Sequence, residues 1–161
     1  MRKRLVFIVM LNLVYMVCYS QNDAKNLDFV VVIDEQVWVT QSNTQLILVD
    51  QDSVISELQT TYHPGNLSFE AEDYEKLMSS SIKAVYLKIT YFEYVEEKQN
   101  IYNYVIPINK NWLKENYLVL HIYNLSKKKY RRVFDPLSFD KNYTFEISSP
   151  NNTFLRVKRK R

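Results

Sequence analysis

Residues 84–95 read Ala84-Val85-Tyr86-Leu87-Lys88-Ile89-Thr90-Tyr91-Phe92-Glu93-Tyr94-Val95. Successive side chains of a strand point to opposite faces. The alternation therefore sets Val85, Leu87, Ile89 and Tyr91 against Tyr86, Lys88, Thr90, Phe92 and Tyr94. One face is apolar and the other mixes aromatic with polar groups, the pattern of a strand buried on one side.

The same period recurs on both sides of this stretch. Tyr117–Leu125 places Leu118, Leu120 and Ile122 together, and Tyr143–Ile147 separates Tyr143, Phe145 and Ile147 from Thr144 and Glu146. Further strand-like segments are Phe29–Ile33, Gln36–Thr40, Gln45–Val49, Ile101–Ile108, Tyr130–Phe134 and Phe154–Val157. Pro107 marks an edge or exit position, because it cannot donate to a ladder. Val54–Tyr62 is less regular. Asp50-Gln51-Asp52-Ser53 and His63-Pro64-Gly65-Asn66 read as turns, the second holding the only glycine of the chain. The period changes once, between Ser68 and Ser80, where Ala71, Tyr74, Leu77 and Met78 recur at helical spacing behind Glu70, Glu72 and Asp73. This predicts one short helix over about 69–79 with Ser68 as N-cap. Asn111–Asn116 reads as a single helical turn.

About eight short strands, turn signals and one short helix predict a mainly β, single-domain, antiparallel β-sandwich-like fold. An eight-stranded membrane barrel fits the size, but the near absence of glycine and the terminal run Arg156–Arg161 oppose it, since charge on a lipid face costs about 2–4 kcal/mol per residue at the midplane.

The first 20 residues stand apart. Arg2, Lys3 and Arg4 precede the apolar run Leu5–Val17, and Cys18-Tyr19-Ser20 offers small residues for cleavage before Gln21. This is the layout of a signal peptide. A competing reading makes Cys18 the lipidated first residue of a bacterial lipoprotein, and an uncleaved anchor is a third. The organisation expected is a signal over 1–20, a polar leader over 21–28, a β-rich domain over 29–157 and a basic tail over 158–161. The protein is expected to be exported (periplasmic, cell-surface or secreted) from a bacterium, with a membrane attachment only through the signal or a lipid.

Setting the signal aside changes the chemistry. The whole chain carries 21 Lys+Arg and 18 Asp+Glu, and three of the basic residues lie in residues 1–20. The exported chain is neutral, so the basic pI is no argument for nucleic acid. The single cysteine lies in the signal too, which leaves no disulfide and no thiolate ligand, and the core alone must hold the fold. Four Asn-x-Ser/Thr triplets, at Asn66, Asn124, Asn142 and Asn151, read as chance in an Asn-rich chain.

Enzymatic motifs are missing. One glycine cannot build a phosphate-cradling loop. His63 and His121 have no metal-ligand spacing, and Asp50-Gln51-Asp52 lacks the rest of a Ca²⁺ loop. No serine sits in a nucleophile elbow. Glu70, Glu72 and Glu93 keep a small hydrolase open as an alternative, without a spacing that identifies one. No cofactor and no metal are expected.

Two features remain as candidate surfaces. One is basic: Lys127, Lys128, Lys129, Arg131 and Arg132, with Lys158, Arg159, Lys160 and Arg161. Residues 21–105 hold 14 Asp+Glu and 5 Lys+Arg, a net of −9, whereas residues 106–161 hold 13 Lys+Arg and 4 Asp+Glu, a net of +9. Opposite-signed halves fit self-association, an envelope protein, an anionic polysaccharide or a lipid headgroup. Interleaving of the halves, with Lys127–Lys129 as a solvated hairpin tip, would cancel the field. The other is aromatic: Tyr86, Phe92 and Tyr94 on one strand, and Tyr117, His121 and Tyr123 on another. Were the strands neighbours, they would form a sugar-stacking platform, the basis of a carbohydrate-binding alternative. The expected function is a non-catalytic interaction module.

Overall fold

The computed structural model describes residues 24–154. The expected signal over 1–20, Cys18 and the tail residues Lys158–Arg161 lie outside the described residues, as do positions 155–157 of the last expected strand.

The fold is mainly β, and its ten strands form one mixed sheet. In chain order they are β1 (Lys25–Ile33), β2 (Gln36–Val37), β3 (Ser42–Asp50), β4 (Ile55–His63), β5 (Gly65–Phe69), β6 (Ile82–Val95), β7 (Lys98–Ile108), β8 (Tyr117–Asn124), β9 (Tyr143–Ser148) and β10 (Thr153–Phe154). Their order across the sheet is β10-β9-β8-β1-β5-β4-β3-β6-β7, with β2 beside the end of β1. Two helices, α1 (Ala71–Met78) and α2 (Lys128–Arg131), and one 3₁₀ turn (Trp112–Lys114) complete the fold.

The expectation of an antiparallel sheet fails at one place. β1 and β8 run parallel, with Phe29 beside Leu118 and Ile33 beside Ile122. The long connection from β1 to β8 carries eight other elements, so no hairpin constrains the direction. β1 also begins at Lys25, inside the stretch read as leader: Leu27 pairs with Leu67 of β5 and is buried. Val54–Tyr62, read as irregular, is the full strand β4, whose inward positions include Leu58, Thr60 and Tyr62. Thr60 is buried against Thr44 of β3, a polar pair that breaks the apolar alternation. The segment 130–134 is no strand but α2 and the turn after it. Helix α1 starts at Ala71 with Glu70 as N-cap, whereas Ser68 belongs to β5.

The alternation of β6, β8 and β9 appears as read: Leu87, Ile89, Leu118, Leu120, Ile122, Phe145 and Ile147 lie in one core. Leu77 of α1 is buried in the same core. Within it, Trp38 stacks on Tyr62 at 4.8 Å between ring centres.

Two tyrosine hydroxyls complete the backbone hydrogen bonding where strands part. β5 leaves β1 after Phe29 and β2 joins it at Val32. Between them, the Val31 N–H donates to the Tyr62 hydroxyl (3.2 Å), which donates to the Trp38 carbonyl (3.0 Å). At the far end of the sheet path, the Val105 N–H of β7 donates to the Tyr143 hydroxyl (2.8 Å), which donates back to the Val105 carbonyl (3.0 Å). The sheet therefore curls until β7 meets the start of β9. Buried amides left unpaired are costly, and each phenol removes that cost without a strand.

Candidate functional site

The turn between β1 and β2 is Asp34-Glu35, and both residues have positive φ, 52° and 73°. A two-residue hairpin with both centres left-handed ordinarily uses Asn-Gly. Two acidic residues adopt it here because the surroundings hold them. The Asp34 N–H donates to the Ile122 carbonyl (2.9 Å), and Asp34 Oδ1 accepts from the Asn124 N–H (2.8 Å). Both partners are on β8, which the parallel register brings alongside.

Asp34 Oδ2 lies 2.6 Å from Lys127 Nζ, and the same ammonium reaches Glu93 Oε1 of β6 at 3.2 Å. Glu93 Oε2 also accepts from the Tyr102 hydroxyl (3.0 Å). One cation thus ties three elements distant in sequence. Burial works against its charge, but hydrogen bonds to Asp34 and Glu93 outweigh this and hold the Lys127 pKa above the ordinary lysine value. Two positions on, Lys129 Nζ pairs with Glu35 Oε2 at 2.8 Å, across 94 residues of sequence. This hydrogen bond holds the Glu35 carboxyl below the usual carboxylate range.

Lys127 and Lys129 are therefore structural. Lys128, Arg131 and Arg132 are exposed, and none has an ion-pair partner among the described residues. The basic run divides because Lys127, just before α2, and Lys129, within it, reach the acids of the β1–β2 turn and β6, whereas the others do not. Its inner face is anchored by Tyr130, which is buried and packs on Tyr123 at 5.1 Å. Phe134 stacks on the same Tyr123 ring at 4.5 Å. The Tyr123 hydroxyl donates to Glu146 Oε2 (3.1 Å), and burial with the Glu146 charge pushes its pKa up.

Beside α2 lies an open groove of about 410 Å³, lined by Arg131, Phe134, Asp135, Phe139, Lys141 and Asn142. Phe139 is fully exposed at its rim. Lys141 pairs with neighbouring Asp140 at 3.4 Å, so Arg131 is the unpaired cation of the groove. Sequence reasoning did not find it: residues 135–142 carry no period, and only the fold folds them back onto α2.

The aromatic candidates are split. β6 and β8 are separated in the sheet by β1, β5, β4 and β3, so the condition for a shared platform is not met. Phe92 and Tyr94 are exposed near the end of β6, and Tyr86 is half-buried nearer its start. On β8, Tyr117 is exposed, His121 stacks on Tyr123 at 6.3 Å, and Tyr123 is covered by Tyr130 and Phe134.

Among the described residues, no group of three or more His, Cys, Asp or Glu side chains is arranged to hold a metal ion. No helix there is long and apolar enough to cross a membrane. Comparisons of the chain with protein-family models, with curated proteins and with solved structures find no match.

Proposed function

We propose that this is an exported, non-catalytic interaction module of the cell envelope or exterior, which holds an acidic partner on the segment following β8. The observation that carries the reading is the division of one basic run. Lys127 and Lys129 are engaged by Asp34, Glu93 and Glu35, whereas Lys128, Arg131 and Arg132 stand exposed without counter-ions among the described residues. A fold that leaves Arg131 free in a groove with an exposed Phe139, and Lys128 and Arg132 exposed in the same segment, suits a polyanion or an acidic protein surface. The internal pairs fix the geometry, so little ordering is needed on binding. An anionic envelope polysaccharide is the partner this arrangement serves best.

Export rests on the signal-like residues 1–20, and the sandwich-like reading is supported by the curling of the sheet around one core, closed at Tyr143 and Val105.

The test is retention of the purified protein on an immobilised sulfated polysaccharide, eluted with salt. Exposed charges are screened beyond about 8–10 Å near physiological ionic strength. Retention at low salt and release well below molar salt are expected. Passage without retention, or retention that salt leaves untouched, would contradict the reading.

A further inference from the structure

β3 accompanies β6 only as far as the Gln45–Lys88 pair, whereas β6 and β7 stay paired to Val95–Lys98. The last seven residues of β6 and their partners on β7 therefore continue as a two-stranded arm, about 20 Å long at 3.3 Å per residue, whose inner side packs on the core through Ile89, Tyr91, Tyr102 and Tyr104. A lone hairpin in water is marginally stable. This one presents Phe92 directly opposite Ile101, 48% and 56% exposed, with Tyr94, 72% exposed, two pairs further out on the same face. Tyr94 accepts from Gln99 Nε2 at 2.9 Å, and Thr90 Oγ1 donates to Asn103 at 3.0 Å, so the outward side chains are ordered by cross-strand contacts.

The arm also has polarity of charge. Its tip is Glu96-Glu97, both at positive φ, 47° and 66°. Lys127 holds the arm at Glu93, and its base is held at Val105 by Tyr143, whose neighbour Asn142 lines the groove together with the free cation Arg131. β7 is the terminal strand of the sheet. Its contact with Tyr143 is at Val105, which leaves residues 98–104 of that edge without a strand partner among the described residues.

We propose that the arm pairs with the arm of a second copy, β7 edge against β7 edge, antiparallel about a two-fold axis at Ile101. In that register Gln99 faces Asn103 of the other molecule. The sheets become continuous, and Phe92, Ile101 and their two equivalents form one apolar stripe across four strands. Antiparallel pairing lays each acidic tip toward the other molecule's base, on the side of Arg131 and its unpaired neighbours Lys128 and Arg132. The contact is isologous and closes at two. Charge complementarity selects the second copy as the occupant, and the exposed apolar stripe gains burial only in this pairing. The inference stands apart from polyanion binding, although the two share the three cations.

Sedimentation of the purified protein over a micromolar concentration series tests it. A monomer–dimer equilibrium is expected, weakened about tenfold or more by Glu96→Lys with Glu97→Lys, because like charges then meet at the base. Ile101→Lys is expected to abolish the dimer. Both variants should keep the circular dichroism of the parent and its retention on sulfated polysaccharide, which separates this contact from the polyanion site. Adding Lys128→Glu, Arg131→Glu and Arg132→Glu to the tip variant is expected to restore the dimer. A protein that stays monomeric throughout, a dimer indifferent to Ile101→Lys or to the tip reversal, or growth beyond two would each overturn the proposal.

Discussion

Gly65 is the chain's only glycine, and its φ of +90° in the β4–β5 turn follows Pro64, the arrangement of a type II turn. A Cβ there would meet nothing within 4 Å, so the strain of Gly65→Ala is purely conformational. A loss of about 1–2 kcal/mol is expected in urea unfolding. The opposite change is available at the β1–β2 and β6–β7 hairpins, which use charged residues where glycine is favoured. Glu97→Gly, at φ 66°, is expected to stabilise the protein by about 0.5–1 kcal/mol. Lys127→Met leaves Asp34 and Glu93 facing each other with no cation. An uncompensated, partly buried carboxylate costs about 1–3 kcal/mol, and a loss of that size is expected. Lys129→Met removes a pair whose partners are both mostly exposed, 56% and 63%, and should cost less than 1 kcal/mol.

At the scale of elements, the strands most readable in the sequence are those buried on one face by regular alternation: β6, β8 and β9. Leu120→Ala in β8 removes a fully buried side chain and is expected to cost about 2–5 kcal/mol by equilibrium unfolding. β4 was hidden because Thr60 occupies an inward position, satisfied by Thr44 rather than by apolar contact. The early start of β1 was hidden because Asn26 and Asp28 point outward between buried neighbours. The alternation expected over Tyr130–Phe134 forms no strand. Tyr130 and Phe134, spaced for alternation, instead enclose Tyr123 from two sides. None of these outcomes is a property of a segment alone, since each depends on what the other strands place beside it. The parallel β1–β8 pair belongs to the same class. Without it Asp34 and Lys127 would not meet, so the basic run could be located in the sequence but not divided into paired and free members.

At the scale of the whole molecule, the segregation of charge along the chain is only partly cancelled by folding. The parallel register carries acids from the first half to cations of the second at two points, while Lys128, Arg131 and Arg132 stay exposed at α2 and the turn after it. Titration of the interior gives a second global property. Burial raises the pKa of Tyr62, Tyr91, Tyr102, Tyr104, Tyr123 and Tyr130 above the ordinary value. An unfolded tyrosine ionises near pH 10. Above that pH the unfolded chain binds fewer protons than the native one, so stability falls as pH rises. Below it this contribution is fully present. Lys127, also raised, acts in the same direction. Alkaline titration is expected to show phenolate absorbance appearing together with the loss of β-sheet circular dichroism. Phenolate formation of these buried rings near pH 10 with the fold intact would contradict the packing described.

The central claim is that position in the fold, rather than membership of the basic run, decides which cations bind a partner. Calorimetric titration of a soluble sulfated polysaccharide into the protein, into Lys128→Ala/Arg131→Ala/Arg132→Ala and into Lys129→Ala tests it most directly. The account expects the triple variant to lose affinity at least about tenfold, the equivalent of 1.4 kcal/mol, and Lys129→Ala to bind within about twofold of the parent. Equal losses in the two variants, or an undiminished affinity in the triple variant, would contradict it.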